Sequence, residues 1–371
     1  MIRTVMAVMV WSVSVASGQA VPNRPQHPTE PVPYQSETVT VPVAADEAGD
    51  AAHTLAGTIT LPDAARWGVG PYPGVVLVSG SGPQNRDADL MGHKWFLVLA
   101  DHLTRQGFAV LRYDDRGVGE STGDFASGTI RRFARDAMAA ADALRAHDAV
   151  DDERVGVIGH SEGGAVAPIV AVEQPSAAFV VILAGMGVPG SEILLYQSSS
   201  MFQRGGQSED WIEANTAVRR DVFDAVGRGA GADEVRPLVA AWVEQEFSHI
   251  QKEEDRARLA GQLMAQFSGD WMREFCSLDP RDWLRRVSVP TLALNGTLDT
   301  QVTPEQNLTE IEAALLAGPC PSATTVRMKN LNHLFQPAVT GTLGEYATIE
   351  TTFDPHALGV ISGWMRATVG E

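Results

Sequence analysis

The hexapeptide Gly159-His160-Ser161-Glu162-Gly163-Gly164 constrains the fold of this 371-residue chain more than any other stretch. An apolar run, Arg154-Val155-Gly156-Val157-Ile158, leads into it, and small residues from Ala165 to Val170 lead out. Strand, tight turn and helix form the context that a G-x-S-x-G nucleophile elbow needs. Such a turn strains the serine backbone, so the Ser161 hydroxyl stands clear of the sheet. Gly159 and Gly163 are required because a side chain at either would strike the neighbouring strand or helix. A chance G-x-S-x-G in a Gly-rich chain is the competing explanation, and it leaves the flanking strand and helix unexplained.

The rest of the chain supplies a sheet for that elbow. Glu37–Val43 and Leu55–Pro62 alternate and predict an antiparallel edge hairpin. Gly74–Val78 is a continuous apolar run, as expected of a strand buried on both faces. Helix over 94–106, strand over 107–113, helix over 130–147 and strand over 179–185 follow. The alternation predicts an α/β fold, a mostly parallel central sheet with helices on both faces. From Ser191 to Trp283 helical periodicity takes over, with Trp211, Trp242, Trp271 and Trp283, and predicts a helical insertion. These tryptophans read mostly as its core, with one or two available to line an acyl pocket if the insertion roofs the catalytic end of the sheet. The sheet resumes at Val289–Gly296, with a helix over 304–317, a last strand at Thr324–Met328 and a terminal helix over 357–365.

The formal net charge is −18, which argues against a nucleic-acid partner and against adsorption to anionic lipid. The first twenty residues have the layout of a secretory signal peptide, with Arg3, an apolar run over Val5–Val15 and Gly18-Gln19-Ala20 before the cut. The run is short for a bilayer span. The polar, Pro-rich stretch after it reads as a disordered leader. The expected organisation is therefore a signal peptide over 1–20, a leader over 21–35, an α/β core over 36–190 and 284–371, and the insertion over 191–283. Export to the periplasm or the medium follows from that reading. Cys276 and Cys320 are the only cysteines, and the sequence leaves open whether they pair or stay free.

A serine hydroxyl needs a base, and the base needs an orienting acid. In an elbow fold the order is Ser, acid, His. Asp299 follows the Thr291–Leu294 run, and His333 follows the last predicted strand. His356 is the second candidate base, but it opens the terminal helix. The oxyanion donors should be the backbone N–H of Glu162, next to the nucleophile, and that of Ser81 in Ser79-Gly80-Ser81-Gly82. Asp114, Asp115 and Arg116 precede Gly117–Gly123 and read as ties for that loop. No Lys-Ser or Lys-Thr follows it, which excludes a Walker loop. No residues have metal-ligand spacing, and nothing in the sequence calls for a cofactor.

Four motifs resemble the α/β-hydrolase superfamily: Gly80–Asp87, Tyr113–Ser121, the elbow, and Asn332-His333-Leu334-Phe335-Gln336. Within it the chain looks like the esterase branch near serine aminopeptidase-like and dienelactone-hydrolase-like enzymes. The resemblance covers about 36–366, with 191–283 where that superfamily carries its variable helical cap. It implies an α/β-hydrolase fold and hydrolysis of a small-molecule carboxylic ester, short acyl chains favoured, through an acyl-enzyme on Ser161. Ser79 stands where many superfamily members have His. Amide cleavage by the same residues, and a non-catalytic binding role for the scaffold, stay open. The oligomeric state is not legible.

Overall fold

The computed structural model describes residues 23–47 and 49–370, so the expected signal peptide at 1–20 lies outside the described residues. An antiparallel hairpin comes first, β1 (Gln35–Val43) and β2 (His53–Leu61). A short helix α1 (Ala64–Trp67), capped by Asp63, leads into β3 (Tyr72–Val78). A two-residue ribbon, β4 (Asp89–Leu90) and β5 (His93–Lys94), precedes α2 (Trp95–Arg105). Then come β6 (Ala109–Tyr113), α3 (Ile130–Arg145), β7 (Val150–His160), α4 (Gly163–Glu173) and β8 (Val180–Leu183). The next segment is helical: α5 (Gly190–Arg204), α6 (Glu209–Gly227), α7 (Ala232–Phe247), α8 (Glu253–Phe267) and α9 (Asp270–Ser277). The chain ends with α10 (Pro280–Leu284), β9 (Thr291–Gly296), α11 (Pro304–Leu316), β10 (Ala323–Met328), α12 (Leu343–Tyr346) and α13 (Pro355–Val369).

Two compact units result, Val188–Asp279 and the remainder. The remainder is built on an eight-stranded sheet of order β1-β2-β6-β3-β7-β8-β9-β10. From β6 to β10 every pairing is parallel, and only β1–β2 and β2–β6 are antiparallel. In β3 all seven residues are buried, because helices cover both faces. Val75 and Leu77 pack with Leu99 and Leu103 of α2 and with Leu358 and Ile361 of α13. On the other face a Cβ on Gly74 would touch Leu144 of α3 at 3.1 Å. Chain order also fixes where a site can form. From β3 the chain crosses to β6 on one side, then returns to β7 on the other. Ligands of open α/β sheets bind beyond the carboxyl ends of the strands at such a switch point. Here that point lies between the loops that leave β3 and β7.

From residue 23 on, the leader is tied by hydrogen bonds to residues 91–101 and 347–353. Arg24 donates to the carbonyls of Ile349, Met91 and Ala347. The Gln26 amide donates to the Phe353 carbonyl at 2.6 Å and accepts from the N–H groups of Thr352 and Phe353. The Tyr34 hydroxyl donates to Asp101 at 2.9 Å. Prolines limit the entropy this segment loses on docking, and its polar side chains satisfy loop carbonyls that would otherwise need water.

The helical unit has its own core. Phe223 meets Trp242 edge-on at 5.8 Å, and Trp242 stacks on Phe267 at 5.5 Å. Arg219 is buried against it, paired with Glu246 at 2.6 Å and 4.3 Å from the Trp242 ring centroid. The unit ends at Asp279, so Trp283, read from sequence as part of the insertion, belongs with the sheet unit. There its ring lies under the guanidinium groups of Arg131 and Arg286. Both cysteines are free.

Candidate active site

Ser161 sits at the end of β7 with φ +56°, in the left-handed region that a side chain normally avoids. Two backbone bonds hold it there: its N–H donates to the Leu183 carbonyl at 2.9 Å, and its carbonyl accepts from Gly164 at 2.9 Å. The turn tolerates no bulk. A Cβ on Gly159 would fall 1.9 Å from the Gly163 carbonyl oxygen, and one on Gly163 would fall 2.4 Å from that of Val78. The expected strand–turn–helix context is thus present, and the strain is borne by the surrounding backbone.

Asp299 and His333 come from the loops after β9 and β10, neighbouring parallel strands. Asp299 Oδ1 accepts from the N–H groups of Gln301 and Val302 at 2.8 and 2.9 Å. Its Oδ2 is left for His333 Nδ1 at 2.7 Å. Asp299 and His333 are both buried, so this charge-assisted bond is little screened. With Nδ1–H donated to the carboxylate, the tautomer is set and Nε2 is the basic nitrogen.

The His333 loop is a self-contained turn around Asn332. The Asn332 Oδ1 accepts from Leu334 N–H and Gln336 N–H, and its Nδ2 donates to Gln336 Oε1 at 2.9 Å. Trp95 Nε1 donates to the Leu334 carbonyl at 2.6 Å. Phe335 stacks on Phe353 at 5.6 Å, and Phe353 stacks on Trp95. His160 completes the support. Its Nε2 donates to the His333 carbonyl at 3.0 Å, and its ring packs 4.8 Å from the His333 ring and 4.5 Å from Trp95. Burial lowers the His160 pKa to about 3, so it is neutral. His160 and Trp95 were not singled out from sequence. The period-2 alternation of β7 was the available signal: it puts His160 on the same face as Ile158, inside the core rather than beside the Ser161 hydroxyl.

The loop after β3 carries Ser81. Ser81 Oγ donates to Glu162 Oε2 at 2.6 Å, so the side chains of the two expected oxyanion donors meet. Asp115 holds the same loop from the β6 side, accepting from Ser79 Oγ at 2.6 Å and Gln84 N–H at 2.8 Å. Burial raises the Asp115 pKa to about 7, with Asp136 and Glu162 adding repulsion. Its neighbours behave differently. Asp114 forms a two-point ion pair with Arg86, and the Arg116 guanidinium is buried between Asp136 and Asp50. Among the described residues no group of three His, Cys, Asp or Glu side chains is arranged to hold a metal ion, and no helix is long and apolar enough to cross a membrane.

The chain belongs to the Hydrolase_4 family, serine aminopeptidase S33, whose family pattern matches residues 92–334. It is 26% identical over 270 residues to the esterase EstD of Thermotoga maritima. That match takes in 73% of this chain and 56% of EstD, so it spans little more than half of the relative. Among solved structures it is similar to the hypothetical protein PA2218 of Pseudomonas aeruginosa, with TM-score 0.55, 15% identity and coverage of 94% and 98% of the two chains. The Pyrococcus furiosus esterase Pf2001 matches with TM-score 0.52 and 16% identity over 96% and 100%. Est1E of Butyrivibrio proteoclasticus, solved with ferulic acid bound, matches with TM-score 0.51 and 13% identity over 89% and 100%. At such identities these structures bear on fold alone, and they agree with the sheet order in assigning the α/β-hydrolase fold.

Proposed function

We propose that the protein is a serine carboxylesterase acting on small esters with short acyl chains. In this reading His333 Nε2 takes the proton of Ser161 Oγ as the hydroxyl attacks the ester carbonyl. Asp299 keeps His333 in the required tautomer, and the N–H groups of Ser81 and Glu162 receive the oxyanion. The tetrahedral adduct collapses as His333 returns the proton to the leaving alcohol. Water, deprotonated by the same imidazole, then attacks the acyl-enzyme and frees the acid.

The observation that carries this reading is the Asp299–His333 bond at 2.7 Å, with the second Asp299 oxygen already occupied by two backbone donors. A surface-loop histidine and a turn aspartate have no reason to be buried and matched in this way. The positive φ of Ser161 and the esterase EstD among the relatives support it further. The test is a p-nitrophenyl ester series, acetate to palmitate, with wild type and Ser161→Ala. Turnover on the short chains, lost by several orders of magnitude in the variant, is the expected result. Ester hydrolysis at wild-type rate by Ser161→Ala would refute it.

A second reading, amide or aminoacyl-peptide cleavage by the same residues, is favoured by the family description alone. Aminoacyl-p-nitroanilides turned over faster than matched esters would select it. The layout of residues 1–20 supports export, and N-terminal sequencing of the mature protein should begin at Val21.

A further inference from the structure

Hydrogen bonds hold the loop after β3. Ser79 and Gly80 border a cavity whose other walls include Asp115, Asp136 and Glu162. Those bonds come from two sides. Asp115 grips Ser79 Oγ and Gln84 N–H. Glu162 grips Ser81 Oγ at 2.6 Å, and both ends of that bond lie on residues whose N–H groups would face the oxyanion.

The two residues start from adjacent strands. β3 and β7 pair in parallel with Val78 opposite Gly159, so the loops leaving them begin side by side. Glu162 is fixed in position as the residue that caps α4: its carbonyl accepts from Ala165 and Val166. Ser81 is held more loosely: its carbonyl accepts from Gln84 Nε2 at 3.5 Å. Beside it Gly80 stands close to the nucleophile, since a Cβ there would lie 3.0 Å from Ser161 Cβ. An oxyanion hole works only when its donors are fixed before the charge develops.

We propose that the Ser81–Glu162 side-chain hydrogen bond is a staple that sets the spacing of the two oxyanion donors, making Glu162 and Ser81 positioning residues through their side chains. This rests on the serine-hydrolase reading above. The staple itself asks only for an acceptor in reach of Ser81 Oγ. The substitution Glu162→Gln keeps such an acceptor, whereas Glu162→Ala removes it.

The experiment is a double-mutant cycle on the full chain with Ser81→Ala, Glu162→Ala, their combination, and Glu162→Gln. Steady-state p-nitrophenyl acetate hydrolysis and the labelling rate of Ser161 by a fluorophosphonate are both read, because phosphonylation also develops negative charge on an oxygen in the hole. Each alanine variant is expected to lose roughly 10- to 100-fold in kcat with KM little changed, less than the loss of a whole donor. The double variant should be no slower than the worse single one, and Glu162→Gln should recover most of the rate. Additive losses, or failure of Glu162→Gln to recover the rate while its thermal unfolding matches wild type, overturn the staple. Alanine variants as fast as wild type overturn it too, and leave the hydrolase reading intact. A wild type that neither turns over ester nor accepts the fluorophosphonate at Ser161 overturns both. Ser81→Ala removes one oxygen from a partly exposed side chain, so it tests the staple even where Glu162→Ala impairs folding.

Discussion

At Asp299 the two carboxylate oxygens have separate tasks, and an amide cannot perform both. Oδ1 must accept from two backbone N–H groups, while Oδ2 must accept from His333. In Asp299→Asn the amide oxygen is drawn to the two backbone donors, so its NH2 faces His333 Nδ1. The imidazole then has to carry its proton on Nε2, where it cannot act as base toward Ser161. The expected loss is about 10⁴-fold in kcat with the fold retained. Steady-state kinetics beside a circular dichroism melt would check this, and a loss under tenfold would remove Asp299 from the mechanism. The candidate residues themselves were legible because each follows a strand that the apolar runs reveal. The division of labour between the Asp299 oxygens was not, because it depends on which backbone N–H groups turn inward after Gly296.

Among the elements, the turn Leu331–Gln336 and the leader behave in opposite ways. The turn is closed by its own side chains, with Asn332 wholly buried and accepting two backbone N–H groups. Asn332→Ala strands those donors without water. It should cost about 2–4 kcal/mol in denaturant unfolding and lower kcat by loosening His333. Unchanged stability would mean that another group reaches both amides. The leader is held mainly by distant partners. Arg24 reaches the Ile349 carbonyl across 325 positions of sequence, and Gln26 reaches Phe353 across 327. A chain starting at Ser36 should melt a few degrees lower than one starting at Val21, with kcat on short esters little altered, since about 1 kcal/mol shifts a chain of this size by a few degrees. Equal melting temperatures would make the docked leader energetically neutral. The leader's composition describes a segment that forms no core by itself, and says nothing of carbonyls waiting elsewhere.

For the molecule as a whole, buried titratable groups make acid the vulnerable side. Burial lowers His93 to about 4 and His160 to about 3, against 6.5 in the unfolded chain, while Asp115 is raised from 3.8 to about 7. Between pH 4 and 6.5 the unfolded chain binds a proton on each histidine, and the folded chain binds one on Asp115. These three groups leave a net excess of one proton on the unfolded state, so stability should fall by roughly 1.4 kcal/mol for each pH unit of acidification across that window. Urea unfolding at pH 7 and pH 5 would show it; greater stability at pH 5 would contradict the neutral burial of the two histidines. The sequence by itself determined the strand–elbow–helix core, the Ser, Asp, His order and the switch from sheet to helical insertion. Each of these is written in local periodicity and in glycines that only one backbone path accepts. Tertiary structure alone decided the docking of the leader, the His160–Trp95 support under His333, and the Ser81–Glu162 bond. Those contacts join residues far apart in the chain, and their energies depend on burial and on hydrogen-bond geometry that no local pattern encodes.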